Sequence, residues 1–254
     1  MEKDVNDKLM DLYSGLWPDF CKAMKSVTTN TEATALPTNP LLLFVKDDGA
    51  DYEKADLRVV VFGRENNDWE GTFSAENISP REEIDRIQEI YNGYFNYGDG
   101  SRKIFMHGME KFISRLREKC PGRTIEYVWN NIVKIGKARI PGQKNAIGIP
   151  PQQIQEVEMR YFPVVEEELR ILKPDVVLFL TGPSYDPVIV KRIQGVTFSP
   201  LTSADGQEIA RVEIPGIKWA YRTYHPRGFM YKGKGTMEAY FDAIIEDILC
   251  NLKK

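Results

Sequence analysis

Histidine and cysteine are scarce in this chain. Its 254 residues hold two histidines, His107 and His225, and three cysteines, Cys21, Cys120 and Cys250. The cysteines are scattered, form no CxxC pair and have no histidine nearby in sequence. That spacing leaves a zinc site or cluster unsupported and points to buried free thiols in a reducing compartment. Long apolar runs are missing as well. Stretches such as Val59–Phe62 and Val176–Leu180 are strand-sized, far short of the ~18 uncharged residues a membrane-crossing helix needs. The opening Met-Glu-Lys-Asp lacks the apolar region of a signal peptide. The expectation is a soluble cytoplasmic protein with no membrane partner and no metal.

A core is affordable. The composition is 42% hydrophobic, 11% aromatic and 28% charged, too apolar for a disordered chain. The net charge of −3 conceals a division. Residues 101–144 carry 11 basic and 3 acidic groups, and residues 218–235 carry 5 basic and no acidic ones. These islands interrupt an otherwise acidic chain. Brought together by the fold, they would make one electropositive face suited to phosphates.

Apolar periodicity sets out the elements. Residues 4–25 can form an amphipathic helix through Leu9, Leu12, Tyr13, Leu16 and Phe20, with Pro18 making its end uncertain. Ser79-Pro80-Arg-Glu-Glu carries a hydroxyl cap, a proline at the first position and acids in the first turn, the pattern of a helix start. Further helices are expected over about 103–119, 157–172, 185–193 and 237–252, the second despite Pro163. Strands are expected at roughly 57–62, 125–133, 176–181 and 219–224, and a hairpin over 196–214 turning at Asp205-Gly206. The runs at 57–62 and 176–181 are apolar at successive positions, as in strands buried on both faces of a parallel sheet. Alternation of strands and helices predicts the α/β class: a three-layer α/β/α sandwich with a mainly parallel central sheet. The whole of 1–254 reads as one domain, with 1–56 as an N-terminal helix and arm.

Ligands of such sheets gather beyond the carboxyl ends of the strands. There the sequence sets Gly63-Arg64-Glu65-Asn66-Asn67-Asp68-Trp69, then Asn130-Asn131 with Lys134, then Thr181-Gly182-Pro183-Ser184, and finally Thr223-Tyr224-His225-Pro226-Arg227. A carboxylate, an amide, a small turn and an imidazole on one rim can position a water, read a donor–acceptor edge and stabilise a leaving anion. Singly, Glu65 and Asp68 are also ordinary turn formers, and Trp69 and Phe73 ordinary core residues.

Four of these segments, in order, resemble the uracil-DNA glycosylase superfamily. Val59-Val-Val-Phe-Gly63-Arg-Glu65-Asn resembles its first motif, a strand entering a glycine loop that carries the water-positioning residue. Tyr127-Val-Trp-Asn-Asn131-Ile-Val-Lys134 is similar to the asparagine strand of the thermophile-type branch. Pro174–Gly182 is similar to its third strand, and Thr223-Tyr-His225-Pro226 to its histidine–proline motif. The chain departs from that branch in three ways. It lacks the four cysteines of an iron–sulfur cluster, so no cofactor is expected. Asn66 stands where the first loop usually has proline, and Arg227 where a small residue is usual.

The resemblance implies base excision from DNA, hydrolysing the N-glycosidic bond of uracil or another modified base. Glu65, with Asp68 second, would orient water and stabilise the sugar cation, and His225 would stabilise the departing base. Asn131 would read the base edge, Phe73 would stack on it, and Trp69 or Tyr224 would wall the pocket. Ser184, Arg227, Lys232, Lys234 and Lys134 would hold the DNA backbone. Two alternatives stand beside this: an inactive protein of the same fold that binds nucleic acid or nucleobase, and a hydrolase of small nucleosides.

Overall fold

A computed structural model describes residues 3–28, 35–74, 79–98, 103–138, 148–201, 207–230 and 235–252. Among them are eight α-helices and seven strands, an α/β protein with one mixed sheet. The strands are β1 (Leu36–Pro37), β2 (Leu57–Asn67), β3 (Ile125–Ala138), β4 (Val176–Leu180), β5 (Thr197–Pro200), β6 (Ala210–Glu213) and β7 (Trp219–Thr223). Their order across the sheet is β1-β3-β2-β4-β7-β6-β5. No helix among the described residues is long and apolar enough to cross a membrane.

The chain divides into two compact units, each built from three segments. The first comprises Met1–Gly49, Arg64–Tyr97 and Asn131–Leu172. It is organised on helix α1 (Val5–Thr28), which packs against α3 (Pro80–Tyr91), α5 (Gln152–Tyr161) and α6 (Val165–Leu172). The buried stripe of α1 is Val5, Leu9, Tyr13, Trp17, Phe20 and Met24, a spacing of three and four that keeps one face inward. Leu12 and Leu16 are only half-buried, and Pro18 is exposed. An internal proline costs a helix about 3 kcal/mol. Six buried large side chains, at roughly 1.5–3 kcal/mol each, outweigh it, so the helix runs on to Thr28. The start of α3 follows the sequence pattern: Ser79 Oγ accepts the Glu82 N–H, and Glu82 returns a bond to the Ser79 N–H at 3.1 Å.

The second unit comprises Ala50–Gly63, Gly98–Asn130 and Lys173–Lys254. Its centre is β4, buried at every position and parallel to both neighbours, with Val59 opposite Val176 on one side and Val176 opposite Trp219 on the other. Phe62 and Phe179 stack in register at 5.0 Å. Beyond β7 the sheet turns antiparallel through β6 and β5, the expected hairpin, whose Asp205-Gly206 turn lies outside the described residues. Helix α4 (Ile104–Lys119) packs on α8 (Met237–Leu252), with Phe112 edge-on to Phe241 at 5.3 Å. Short helices α2 (Ala50–Lys54) and α7 (Asp186–Arg192) complete the set.

Two expectations need correction. The helix expected over 157–172 is two helices, α5 and α6, separated at Phe162–Val164. Pro163 has no amide hydrogen to continue the first ladder, and its exposed ring sits between buried Phe162 and Val164. The glycine loop expected after Phe62 is instead strand: β2 continues through Asn67. Its polar run reads as loop in sequence, and within the first unit Asn66 finds its partner on β3, 68 residues away.

Candidate functional site

In the second unit the strand ends gather around β7. Arg222, 1% exposed, makes two 2.9 Å bonds to Asp186 at the start of α7 and a third to the Gln207 carbonyl. Burial pushes the Asp186 carboxyl up from its ordinary range, and Arg222 pulls it part of the way back. Thr223 Oγ1 donates to the Glu208 carbonyl at 3.1 Å. The strand then stops, and Pro226–Met230 forms one tight 3-10 turn. Its first N–H bonds hold the imidazole of half-buried His225: Nδ1 accepts the Arg227 N–H at 3.1 Å, and the His225 carbonyl accepts the Gly228 N–H at 2.6 Å. With Nδ1 accepting, a neutral ring carries its proton on Nε2 and is a donor there. Phe105 of α4 lies against the ring at 5.7 Å and is backed by Trp129 at 6.2 Å.

The neighbouring candidates are placed as follows. Tyr224 is half-buried within an aromatic trio with Phe229 (5.9 Å) and Tyr240 (6.1 Å). Ser184 is exposed in the turn after β4, and Arg227 is exposed beside His225. Lys232 and Lys234 lie outside the described residues. Some cations of the 101–144 island are engaged within the fold. Lys111 pairs with Glu238, Arg115 forks onto Asp242 with Nε at 2.9 Å, and Arg117 donates to the Ile125 carbonyl at 2.6 Å.

In the first unit, Glu65 is half-buried on the extension of β2. Asp68 follows at φ +54°, its N–H on the Lys137 carbonyl at 3.3 Å. Trp69 is buried edge-on to Tyr94 at 5.2 Å. Phe73 is 4% exposed and packs against Phe20 (5.3 Å) and Trp17 (6.2 Å) of α1. A ring so enclosed has no face for a base, so the stacking role expected of Phe73 is withdrawn; Trp69 likewise sits in packing.

Lys134 is the plainest correction. It is fully buried, its Nζ on both oxygens of Glu168 at 2.8 and 3.0 Å. Tyr13 also donates to Glu168 at 2.6 Å and accepts the Leu43 N–H at 3.1 Å. Burial lowers the pKa of the Lys134 ammonium, against the opposing pull of Glu168, and burial with the same carboxylate raises that of the Tyr13 phenol well above its ordinary value. This lysine ties α1 and α6 to β3 and does not reach a phosphate.

Asn131, on β3, is buried, and its Nδ2 donates to Asn66 Oδ1 at 2.8 Å. Asn66 Nδ2 donates in turn to the Lys134 carbonyl at 2.7 Å. In the sequence Asn66 stands out only as a departure from proline. Its place in a cross-strand amide chain was invisible there, because its partners lie on another strand. Among the described residues no group of three or more His, Cys, Asp or Glu is placed to hold a metal.

No protein-family model matches this chain, and no curated protein matches it.

Proposed function

We propose that the protein is a DNA base-excision hydrolase of uracil-DNA glycosylase type, a three-layer α/β/α sandwich that cuts the N-glycosidic bond of uracil or another modified base. The observation that carries this reading is the Arg227 N–H to His225 Nδ1 bond. It turns Nδ1 to the backbone and places the ring's other nitrogen, Nε2, just past the carboxyl end of β7, a parallel strand. A preorganised donor aimed at developing negative charge is worth about 3–4 kcal/mol, which suits a departing nucleobase anion. The adjacent parallel strands β2 and β4 support it too. Along the sheet, the chain leaves β2 for β3 on one side and reaches β7 from β4 on the other, the reversal at which α/β sheets bind ligands. For Glu65, with Asp68 second, the resemblance implies orientation of water, and for Asn131 the reading of the base.

Incubation with uracil-containing single- and double-stranded DNA tests the proposal by counting abasic sites. The wild-type protein is expected to release base, and His225→Ala to slow release roughly 10²–10³-fold. No release from any substrate in a panel of modified bases, with a folded sample, overturns the reading.

The pairing of Lys111, Arg115 and Lys134 with carboxylates favours a second reading, in which the substrate is a small nucleoside with few phosphates to hold. Release from free deoxyuridine with none from DNA would select it.

A further inference from the structure

We infer that Asn39 is a positioning residue: its amide holds a left-handed turn after β2 and so keeps the acid-bearing end of that strand in place. The functional half rests on the excision reading proposed above. Every residue involved belongs to the first unit.

The turn follows directly on β2. Asp68, Glu70 and Gly71 stand at φ +54°, +51° and +74°, so three of four consecutive residues are left-handed. Glycine takes that backbone freely and aspartate tolerates it, but a longer side chain such as that of Glu70 is crowded there. The Glu70 side chain is exposed, so no packing of its own offsets the strain. Such strain persists only where the surrounding structure holds it, and it gathers at functional sites.

Main-chain bonds hold the two ends of the turn. The Asp68 N–H donates to the Lys137 carbonyl at 3.3 Å, and the Phe73 N–H donates to the Pro37 carbonyl at 2.8 Å beside a Thr38–Thr72 bridge. Between them Trp69 is buried against Tyr94, which fixes the inner side. The outer side is Glu70, whose carbonyl accepts a bond from Asn39 Nδ2 at 3.1 Å.

Asn39 is itself built in. It is 2% exposed, and its carbonyl accepts Thr38 Oγ1 at 2.9 Å and Asn66 Nδ2 at 3.4 Å. Thr38 Oγ1 in turn accepts the Gly136 N–H of β3 at 2.9 Å. The amide therefore reaches Glu70 from a segment fixed to the sheet. Its other end, Oδ1, is buried without a hydrogen-bond partner among the described residues. Burying a bare acceptor is unfavourable, so the bond to Glu70 is what the amide supplies at this position.

The consequence falls on the acids. The extension of β2 that carries Glu65 runs into this turn, and Asp68 lies within it. Released from Asn39, Glu70 would relax toward negative φ and redirect the chain next to both. A carboxylate misplaced by about 1 Å loses rate. Because the bond is made before substrate arrives, it acts on turnover more than on binding.

Hydrogen–deuterium exchange of the Asp68 and Phe73 main-chain N–H groups, read by nuclear magnetic resonance, tests the strap without substrate. Protection of both is expected in the wild type; exchange as fast as in an unstructured peptide overturns the inference. Asn39→Ala is expected to speed both by roughly three- to tenfold, the worth of one hydrogen bond, with the amides of α1 unchanged. Adding Glu70→Gly, which removes the strain, should bring them back. No acceleration, equal acceleration in α1, or no recovery in the double variant overturns it. If the alanine variant does not fold, Glu70→Gly alone decides: the two amides should exchange more slowly, and exchange no slower than in the wild type overturns it. On uracil-containing single-stranded DNA, Asn39→Ala should lower kcat by a similar factor of roughly three to ten with KM within about twofold, and Glu70→Gly should restore it. An unchanged kcat in a variant with faster exchange overturns the positioning role. Absence of base release by the wild type counts against the proposed function alone, because exchange decides the strap separately.

Discussion

Lys134→Ala would leave the Glu168 carboxylate in a dry interior without either of its ammonium bonds. Breaking one side of a buried ion pair typically costs about 3–5 kcal/mol, so urea unfolding should show a loss of that size. The paired change Lys134→Met with Glu168→Leu should restore most of it, since a packed apolar pair carries no desolvation penalty. Asp175 is a second test. Burial alone would raise its carboxyl, but the Arg58 side chain and N–H, at 3.1 and 3.0 Å, and Lys218 at 3.3 Å hold it below the usual range. A folded-state pKa below the unfolded one gives stability that is complete above the unfolded value, about pH 4, and is lost as pH falls through the folded value. Unfolding midpoints measured from pH 6 down to pH 3 should therefore drop for the wild type and drop less for Asp175→Asn. Neither network was legible in the sequence. Lys134 meets Glu168 34 residues on, and nothing in the local pattern of β3 distinguishes it from a solvent-facing lysine.

Helix α4 carries a glycine in its interior, where alanine would ordinarily gain about 1 kcal/mol. Here a Cβ at Gly108 would stand 2.3 Å from Cγ of Pro226, a stiff ring that begins the turn beside His225. The sign should reverse: Gly108→Ala is expected to lose roughly 1–3 kcal/mol as an overpacked contact and to move the ring resonances of His225. A rise in thermal midpoint with those resonances unmoved would contradict the packing described. Elements were the most readable level of the sequence. Continuous apolar runs marked β2 and β4 because both faces of each are covered, and Ser79-Pro80 marked α3 because a cap is a local device. The misread stretches are those decided elsewhere. Arg64–Asn67 became strand through partners on β3, and the single helix across Pro163 became two.

At the scale of the molecule, charge is the quantity that changed meaning between sequence and structure. The island at 101–144 looks like a phosphate-binding surface when counted, yet Lys111, Arg115 and Lys134 face carboxylates from α8 and α6. The expected consequence is a shallow dependence of DNA affinity on salt, with a log–log slope of magnitude below about 3, equivalent to roughly three phosphates. A steep slope would show that other cations, Arg227 and the lysines at 232 and 234 among them, supply the contacts. The α/β alternation and the parallel centre of the sheet were legible, because they follow from which runs are apolar and where turns interrupt them. The companions of each strand-end residue were not, because they depend on side-chain polarity across strands.

Neither compact unit is a continuous length of chain: the polypeptide passes from one to the other after Gly49, Gly63, Tyr97, Asn130 and Leu172. During translation the first unit is fully supplied once Leu172 has left the ribosome. The second must wait for α8, which brings Phe241 to Phe112. Gene fragments cut at any single point therefore cannot yield the second unit alone and intact, and a stop codon ahead of Met237 would leave the inner face of α4 uncovered in the nascent product.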